Sequence, residues 1–360
     1  MKEIRIITLL FLAILAVTVC CKQTTDSDDP KSDDWPFDPP SDTPLDAFVM
    51  NEKIGRGFNL GNALEAPSEG EWGMVIKDEY LKIIADAGFN SIRLPVTWSA
   101  HTLERAPYLI DSTFFNRVDH IVQTALGNGL IVVLNNHHFD PLNNDPVGNR
   151  DWLLSIWEQV ADHYKNYPDE LFFEILNEPH GAFNDNASLW HDLAKGALEL
   201  IRKTNPYRMV VIGPVSWNSI HQLHGLVIPA DEDGIIVTYH YYEPFHFTHQ
   251  GASWAGDQAN SWLGTTWMGS QNERNEINKA FDAAADWARQ HGRPLYMGEF
   301  GAYSAADMNS RYRWTDYVAR AAEKRGISWS YWEFGAGFGA FDRDTGKWRE
   351  LLLKALMPEE

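Results

Sequence analysis

The sequence predicts an α/β protein built as one (β/α)8 TIM barrel, and three observations predict it. Short apolar runs alternate with longer stretches of helical period, there are eight such runs, and polar residues recur at the C-terminal end of the runs. Runs that are apolar throughout belong to a parallel sheet covered by helices on both faces. Eight such strands close a barrel, and the stretch from Gly55 onward is long enough for one. A doubly wound sheet is the alternative, but no Gly-rich phosphate turn follows the first run.

In chain order the predicted strands are 57–61, 91–96, 130–135, 171–177, 209–213, 235–240, 294–299 and 327–332. Helical stripes lie between several of them. Tyr80, Ile83, Ile84 and Ala87 share a face and stop at Gly88; Phe114, Val118, Ile121, Val122 and Ala125 do so before Gly127. Trp152, Ile156, Trp157, Val160 and Tyr164 form a third stripe that ends near Pro168. Phe281, Ala284, Ala285 and Ala288 precede Gly292, and Trp314, Val318 and Ala321 precede Gly326. Arg93, His137, Asn177, Glu178, His240, Glu299, Trp332 and Glu333 fall in, or just past, the ends of predicted strands. In a barrel those ends converge on one mouth, so residues scattered along the chain meet there.

Composition narrows the partners. The formal net charge of -20 argues against nucleic acid or anionic lipid, both of which need a basic footprint. The 15 Trp, 18 Phe and 13 Tyr exceed what a core of this size needs. Flat rings stack on the apolar faces of pyranose sugars, which favours a carbohydrate ligand; a core of large residues is the plain alternative.

The N-terminus predicts export. Lys2 and Arg5 precede an apolar run over 6–19 that is short for a spanning helix and right for a signal peptide. The run meets Cys20 and Cys21, the only cysteines, where a bacterial lipoprotein signal carries its lipidated residue. Cys21 follows a small residue and is the expected lipidation site; a conventional cleaved signal is the alternative. The expected plan is a signal over 1–21, an Asp- and Pro-rich tether over 22–44, and one domain over 45–360. The folded part then has no disulfide, thiolate metal site or Cys nucleophile. Such a chain is expected as an outer-membrane or cell-surface lipoprotein, otherwise periplasmic or secreted, touching membrane only through its lipid.

The chemistry rests on two glutamates, Glu178 in Asn177-Glu178-Pro179 and Glu299 in Gly298-Glu299-Phe300, at the ends of strands four and seven. Cleaving a glycosidic bond takes a pair of carboxyls, one to protonate the leaving oxygen and one to face the anomeric carbon. Six motifs, in order and on the right strands, resemble glycoside hydrolase family 5. They are 56–65 (Arg56-Gly57-Phe58-Asn59 through Glu65), Ile92-Arg93-Leu94-Pro95, Asn136-His137-His138, Glu174 to Pro179, His240-Tyr241-Tyr242 and Gly298-Glu299-Phe300. The resemblance runs from about Gly55 to near the C-terminus, and is closest to bacterial endo-β-1,4-glucanases, some of which also cleave β-mannan.

The resemblance implies roles. Glu178 would be the acid/base and Glu299 the nucleophile, held ionised by Arg93, whose alternative is to pair a structural carboxylate. Asn177 would bind the sugar 2-OH, Tyr242 would donate to Glu299, and His137 and His240 would orient the carboxyls. Trp332 would floor the cleavage point, with Asn62 and Glu65 contacting sugars on the non-reducing side. His138 is either a sugar ligand or a packing histidine, because it points to the strand face opposite His137. Those opposed directions, with no third spaced ligand, argue against a metal at the pair. Glu333 is expected to be structural. A long insertion over 243–272 would wall the cleft, with Trp254 as a platform, unless its rings only pack the loop on itself.

Three departures from the resemblance bear on specificity: Asn136 before the His pair, Glu243 after Tyr242, and the slim Gly335-Ala336-Gly337 loop. The expected function is a retaining endo-β-1,4-glucanase without metal or cofactor, acting as a monomer on polysaccharide. A β-mannanase is the alternative within the same chemistry, and a non-catalytic glycan-binding lipoprotein the alternative outside it.

Overall fold

Eight parallel strands close on themselves in sequence order: β1 (Arg56–Asn59), β2 (Ser91–Leu94), β3 (Ile131–Asn135), β4 (Leu171–Glu174), β5 (Val210–Ile212), β6 (Ile235–Tyr241), β7 (Leu295–Phe300) and β8 (Ser328–Tyr331), with β8 pairing back to β1. The computed structural model describes residues 36–358. The export signal, Cys21 and the tether up to residue 35 lie outside the described residues. Most strands are shorter than their apolar runs, because the chain leaves the ladder before the hydrophobic stretch ends. That shift carries Asn177 and Glu178 onto the loop beyond β4.

The floor of the barrel is an element that the strand-and-helix rhythm does not contain. Asp46 caps the helix Ala47–Ile54, accepting from Phe48 N at 2.8 Å, and Gly55 ends it at φ 51. Ala47, Met50 and Ile54 bury against Val133, Phe172, Val211, Ile236 and Tyr296, which fill the barrel interior. Asn51 on the same helix donates to Leu295 O at 3.0 Å and accepts from Ser328 Oγ at 2.7 Å, which satisfies its buried amide.

The five stripes form the helices Asp78–Asp86, Ser112–Gly127, Arg150–His163, Gln271–His291 and Met308–Glu323. Gln271–His291 starts ten residues before the first residue of its stripe, at a capping box made by Ser270 and Glu273. Two further helices, Ala187–Thr204 and Glu350–Leu356, follow β4 and β8. The connection after β5 departs from the rhythm. It holds only a turn at Val215–Asn218 and a 3-10 helix at Ile220–Gly225.

The tether boundary also shifts. Phe37 packs on the core, and Ser41 N donates to both carboxylate oxygens of Asp169 at 3.1 Å, so residues 37–44 belong to the compact unit rather than to an extended stalk. No helix among the described residues is long and apolar enough to cross a membrane.

Candidate active site

A buried arginine organises the mouth. Arg93 on β2 is fully buried and spends all its N–H groups on side chains of β1, β4, β7 and the loop beyond β4. Nε and Nη2 reach the two oxygens of Glu174 at 2.6 and 2.7 Å, Nη1 reaches Glu299 Oε1 at 2.7 Å and Asn59 Oδ1 at 2.9 Å, and Nη2 reaches Asn177 Oδ1 at 2.7 Å. Both readings of Arg93 therefore hold at once, since it pairs a structural carboxylate and Glu299. Burial works against its charge, but Glu174 and then Glu299 raise its pKa above the usual guanidinium value. Glu174 was not singled out in the sequence. Its signal is an ionisable residue on the face of β4 opposite Phe173, in an otherwise apolar run.

The pair itself follows. Glu299 is buried, with Oε2 accepting from the Tyr242 hydroxyl at 2.9 Å. Burial pushes its pKa up, opposed by His240, Arg93 and Tyr242. Arg93 thus acts in the expected direction, toward the ionised form, but desolvation is the larger effect. Tyr242 is held well above its usual pKa, by burial first and then by Glu299, so it remains a donor. Glu178 sits just past β4 at φ 48, a left-handed backbone that costs an ordinary residue about 1–2 kcal/mol. Its side chain stays 25% exposed, and burial of the remainder pushes its pKa up to about 7, against Arg93 and His180. One oxygen of Glu178, one of Glu299 and a ring nitrogen of His240 lie within 4.8 Å of one another.

The histidines are neutral orienters. His240 Nδ1 lies 2.6 Å from Glu178 Oε1 and 3.5 Å from Glu299 Oε2, and burial pushes its pKa down to about 4. Burial, then His138 and Arg93, holds His137 well below its usual value. His137 Nδ1 meets Asn135 Oδ1 at 3.0 Å, and Nε2 meets Asn177 Nδ2 at 3.4 Å. Since Asn177 Oδ1 already accepts from Arg93, its amino group is the part available to a ligand.

Aromatic rings wall the space. Trp332 stacks on His137 at 5.6 Å and 9°, and its ring edge lies so close to Gly61 that a Cβ there would stand 2.8 Å from Cη2. Asn62 is half-buried at φ 64. Glu65 is a correction. It is only 2% exposed and its carboxylate accepts from Asn62 N and from Ala63 N, so it folds the β1 loop rather than facing the cleft. Burial drives its pKa to about 8. His138 is exposed and meets Trp72, an unforeseen cleft ring, edge-on at 5.7 Å. Glu333 is buried and accepts from Gly335, Ala336 and Phe338 N–H groups at 2.6–3.0 Å, which shapes the slim last loop.

The insertion divides between its two readings. Phe247 and Trp267 are buried, Phe245 stacks on His249 at 4.0 Å, and Trp262 stacks on His246 at 4.5 Å, so these four pack the loop on itself. Trp254 stays 61% exposed, its ring braced edge-on by Tyr303 at 4.9 Å. The β5 loop adds Trp217, 53% exposed and stacked on His180 at 5.1 Å and 11°. Sequence reasoning missed it, because its direction comes from the left-handed backbone of Ser216, Trp217 and Asn218, at φ 60, 59 and 52.

Paired carboxyls at the mouth of a closed β/α barrel, under a wall of aromatic rings, define a glycoside hydrolase. The family model described as cellulase (glycosyl hydrolase family 5) matches residues 53–337. Endoglucanase H of Acetivibrio thermocellus is 39% identical over 312 residues, which cover 86% of this chain and 33% of that protein. Endoglucanase B of Clostridium cellulovorans is 29% identical over 318 residues, covering 81% and 70%. Among solved structures, endoglucanase Cel5A from the hyperthermophilic Thermotoga maritima matches with a TM-score of 0.84 and 47% identity, covering 87% of this chain and 100% of that one. The same protein matches as its complex with mannotriose, at a TM-score of 0.84 and 46% identity, covering 87% and 100%. The chain belongs to glycosyl hydrolase family 5, the cellulase family. It spans about a third of the length of Endoglucanase H.

Proposed function

We propose that this chain is a retaining endo-β-1,4-glucanase that hydrolyses β-glucans by double displacement. The observation that carries the reading is the short reach between the carboxyls, one oxygen of each within 4.8 Å of the other. Retaining enzymes hold the pair at about 5–5.5 Å, whereas a water-admitting inverting site needs roughly 6.5–9.5 Å. Glu299 attacks the anomeric carbon while Glu178 protonates the departing oxygen; Glu178 then takes a proton from the water that releases the sugar from Glu299. Asn177 offers its amide to the 2-OH, Tyr242 and Arg93 hold Glu299 in line, and Trp332 floors the site. His138, Trp72 and Trp254 bind outer sugars.

The direct test is reducing-sugar release from carboxymethylcellulose, barley β-glucan, xyloglucan, xylan and mannan by the purified protein, with the anomeric configuration of the first product read by NMR. β-Glucan cleavage with a β-configured first product is expected. An α-configured product, or no release from any glucan, defeats the reading. The mannotriose complex of the Thermotoga relative supports β-mannan as a second substrate.

The pH profile follows from the pair. Glu178 must enter protonated, so kcat/KM is present below its pKa and falls as pH rises through about 7. Glu299 must enter ionised, so the acid limb falls as that carboxyl takes up its proton. A bell is expected whose alkaline limb lies near pH 7; a plateau running unbroken to pH 9 contradicts the assignment of Glu178.

Trp254→Ala removes an exposed ring that Tyr303 meets edge-on and Phe338 at a tilt. The expected loss is about 1 kcal/mol of binding, hence roughly a fivefold higher KM on polymer, with kcat within about twofold. Unchanged kinetics on both polymer and short oligosaccharides would return Trp254 to loop packing.

The apolar run over 6–19, followed by Cys20-Cys21, supports export and anchoring through lipidated Cys21.

A further inference from the structure

We propose that Asn218 is a positioning residue that sets the tautomer of His240 and thereby aims the proton of Glu178 at the leaving group. The proposal rests on Glu178 being the acid.

His240 is neutral, so its ring carries one N–H, on either Nδ1 or Nε2. Nδ1 lies 2.6 Å from Glu178 Oε1, and Nε2 lies 3.4 Å from Asn218 Nδ2. With the Asn218 amino group donating to Nε2, the ring hydrogen must sit on Nδ1, where it donates to Glu178 Oε1. The acid proton is then carried by Oε2, which accepts no hydrogen bond among the described residues. With the other tautomer, the bare Nδ1 would bind the Glu178 proton at 2.6 Å and hold it away from substrate.

The surroundings of Asn218 are built for this contact. Asn218 Oδ1 is buried without a partner and lies over Gly213, where a Cβ would overlap it, so the carbonyl side faces a C–H and the amino side faces the ring. Ser219 bridges His240 in register. The turn is also tied to the segment after Glu178. Trp217 N donates to Pro179 O at 3.3 Å, Ser216 N donates to Asn184 Oδ1 at 2.9 Å, and the Trp217 ring covers His180. Asn tolerates the left-handed φ of 52 that places its amide here.

Asn218→Asp tests it. Asp also tolerates that backbone, but its carboxylate only accepts, so it draws the ring hydrogen onto Nε2. The variant is assayed on aryl β-cellobiosides, from 2,4-dinitrophenyl, which departs without a proton, to phenyl, which needs one. The expected result is a loss of roughly 100-fold in kcat/KM on the phenyl glycoside and less than about threefold on the dinitrophenyl one. Equal losses on both overturn the proposal, because a merely structural role lowers both alike. Glu178→Ala, run alongside, must give the same split. If it does not, the acid assignment itself fails; if it does and Asn218→Asp does not, only the role of Asn218 fails. The 15N shifts of His240 in histidine-labelled parent protein give a second arm that needs no variant. Protonated Nδ1 is expected, and protonated Nε2 overturns the proposal even if Asn218→Asp does not fold.

Discussion

Glu299→Gln lowers hydrolysis of every substrate by about 10⁴-fold or more while the protein stays folded. An amide cannot form the sugar ester, so the first displacement has no nucleophile. The substitution keeps the shape and one acceptor oxygen. Arg93 Nη1, now 2.7 Å from Glu299 Oε1, retains its partner, and the Tyr242 hydroxyl at 2.9 Å can turn to accept from the new amino group. Loss of rate with an unchanged melting transition is therefore the expected pattern, measured by reducing-sugar release beside thermal unfolding. A variant within about tenfold of the parent would move the nucleophile elsewhere.

Arg93→Met should produce the largest loss of stability. The arginine is enclosed, and its removal leaves both oxygens of the buried Glu174 and one of Glu299 without that cation. Deleting one partner of a buried ion pair costs about 3–5 kcal/mol, since the remaining charge is left without compensation. Denaturant unfolding at neutral pH reads this directly. The sign with pH is fixed as well: without the cation Glu299 protonates more readily in the folded state, so its part of the deficit shrinks as pH falls. A deficit below about 1 kcal/mol at neutral pH would mean that the two carboxylates find other partners.

The barrel was legible because its signal is repeated. Six of the eight apolar runs carry chemistry at the same phase, and an error at one strand does not move the others. Arg93, His137, Glu178, His240 and Glu299 were placed at the mouth by that phase alone. Residues positioned by folded loops were less legible. Glu65 stands three positions after Asn62 in a polar stretch, and nothing in the sequence says that its carboxylate turns inward to the backbone. Asn218 reaches His240, 22 positions away in sequence, only through a left-handed turn and the bridge of its neighbour Ser219 to His240. Residues 37–44 have the Asp and Pro content of a tether, yet Ser41 finds Asp169, a partner 128 positions away that local composition cannot reveal. The floor helix is eight residues long, too short for periodicity to single out.

That floor helix decides the traffic of the reaction. With Ala47, Met50 and Ile54 packed beneath Val133, Phe172, Val211, Ile236 and Tyr296, the barrel base is closed and the site is reached from the mouth. Substrate, departing sugar and incoming water all cross the same threshold, so the water of the second step enters only after the released half of the chain has moved aside. A second sugar standing in that doorway has the same access to the ester on Glu299 as the water does.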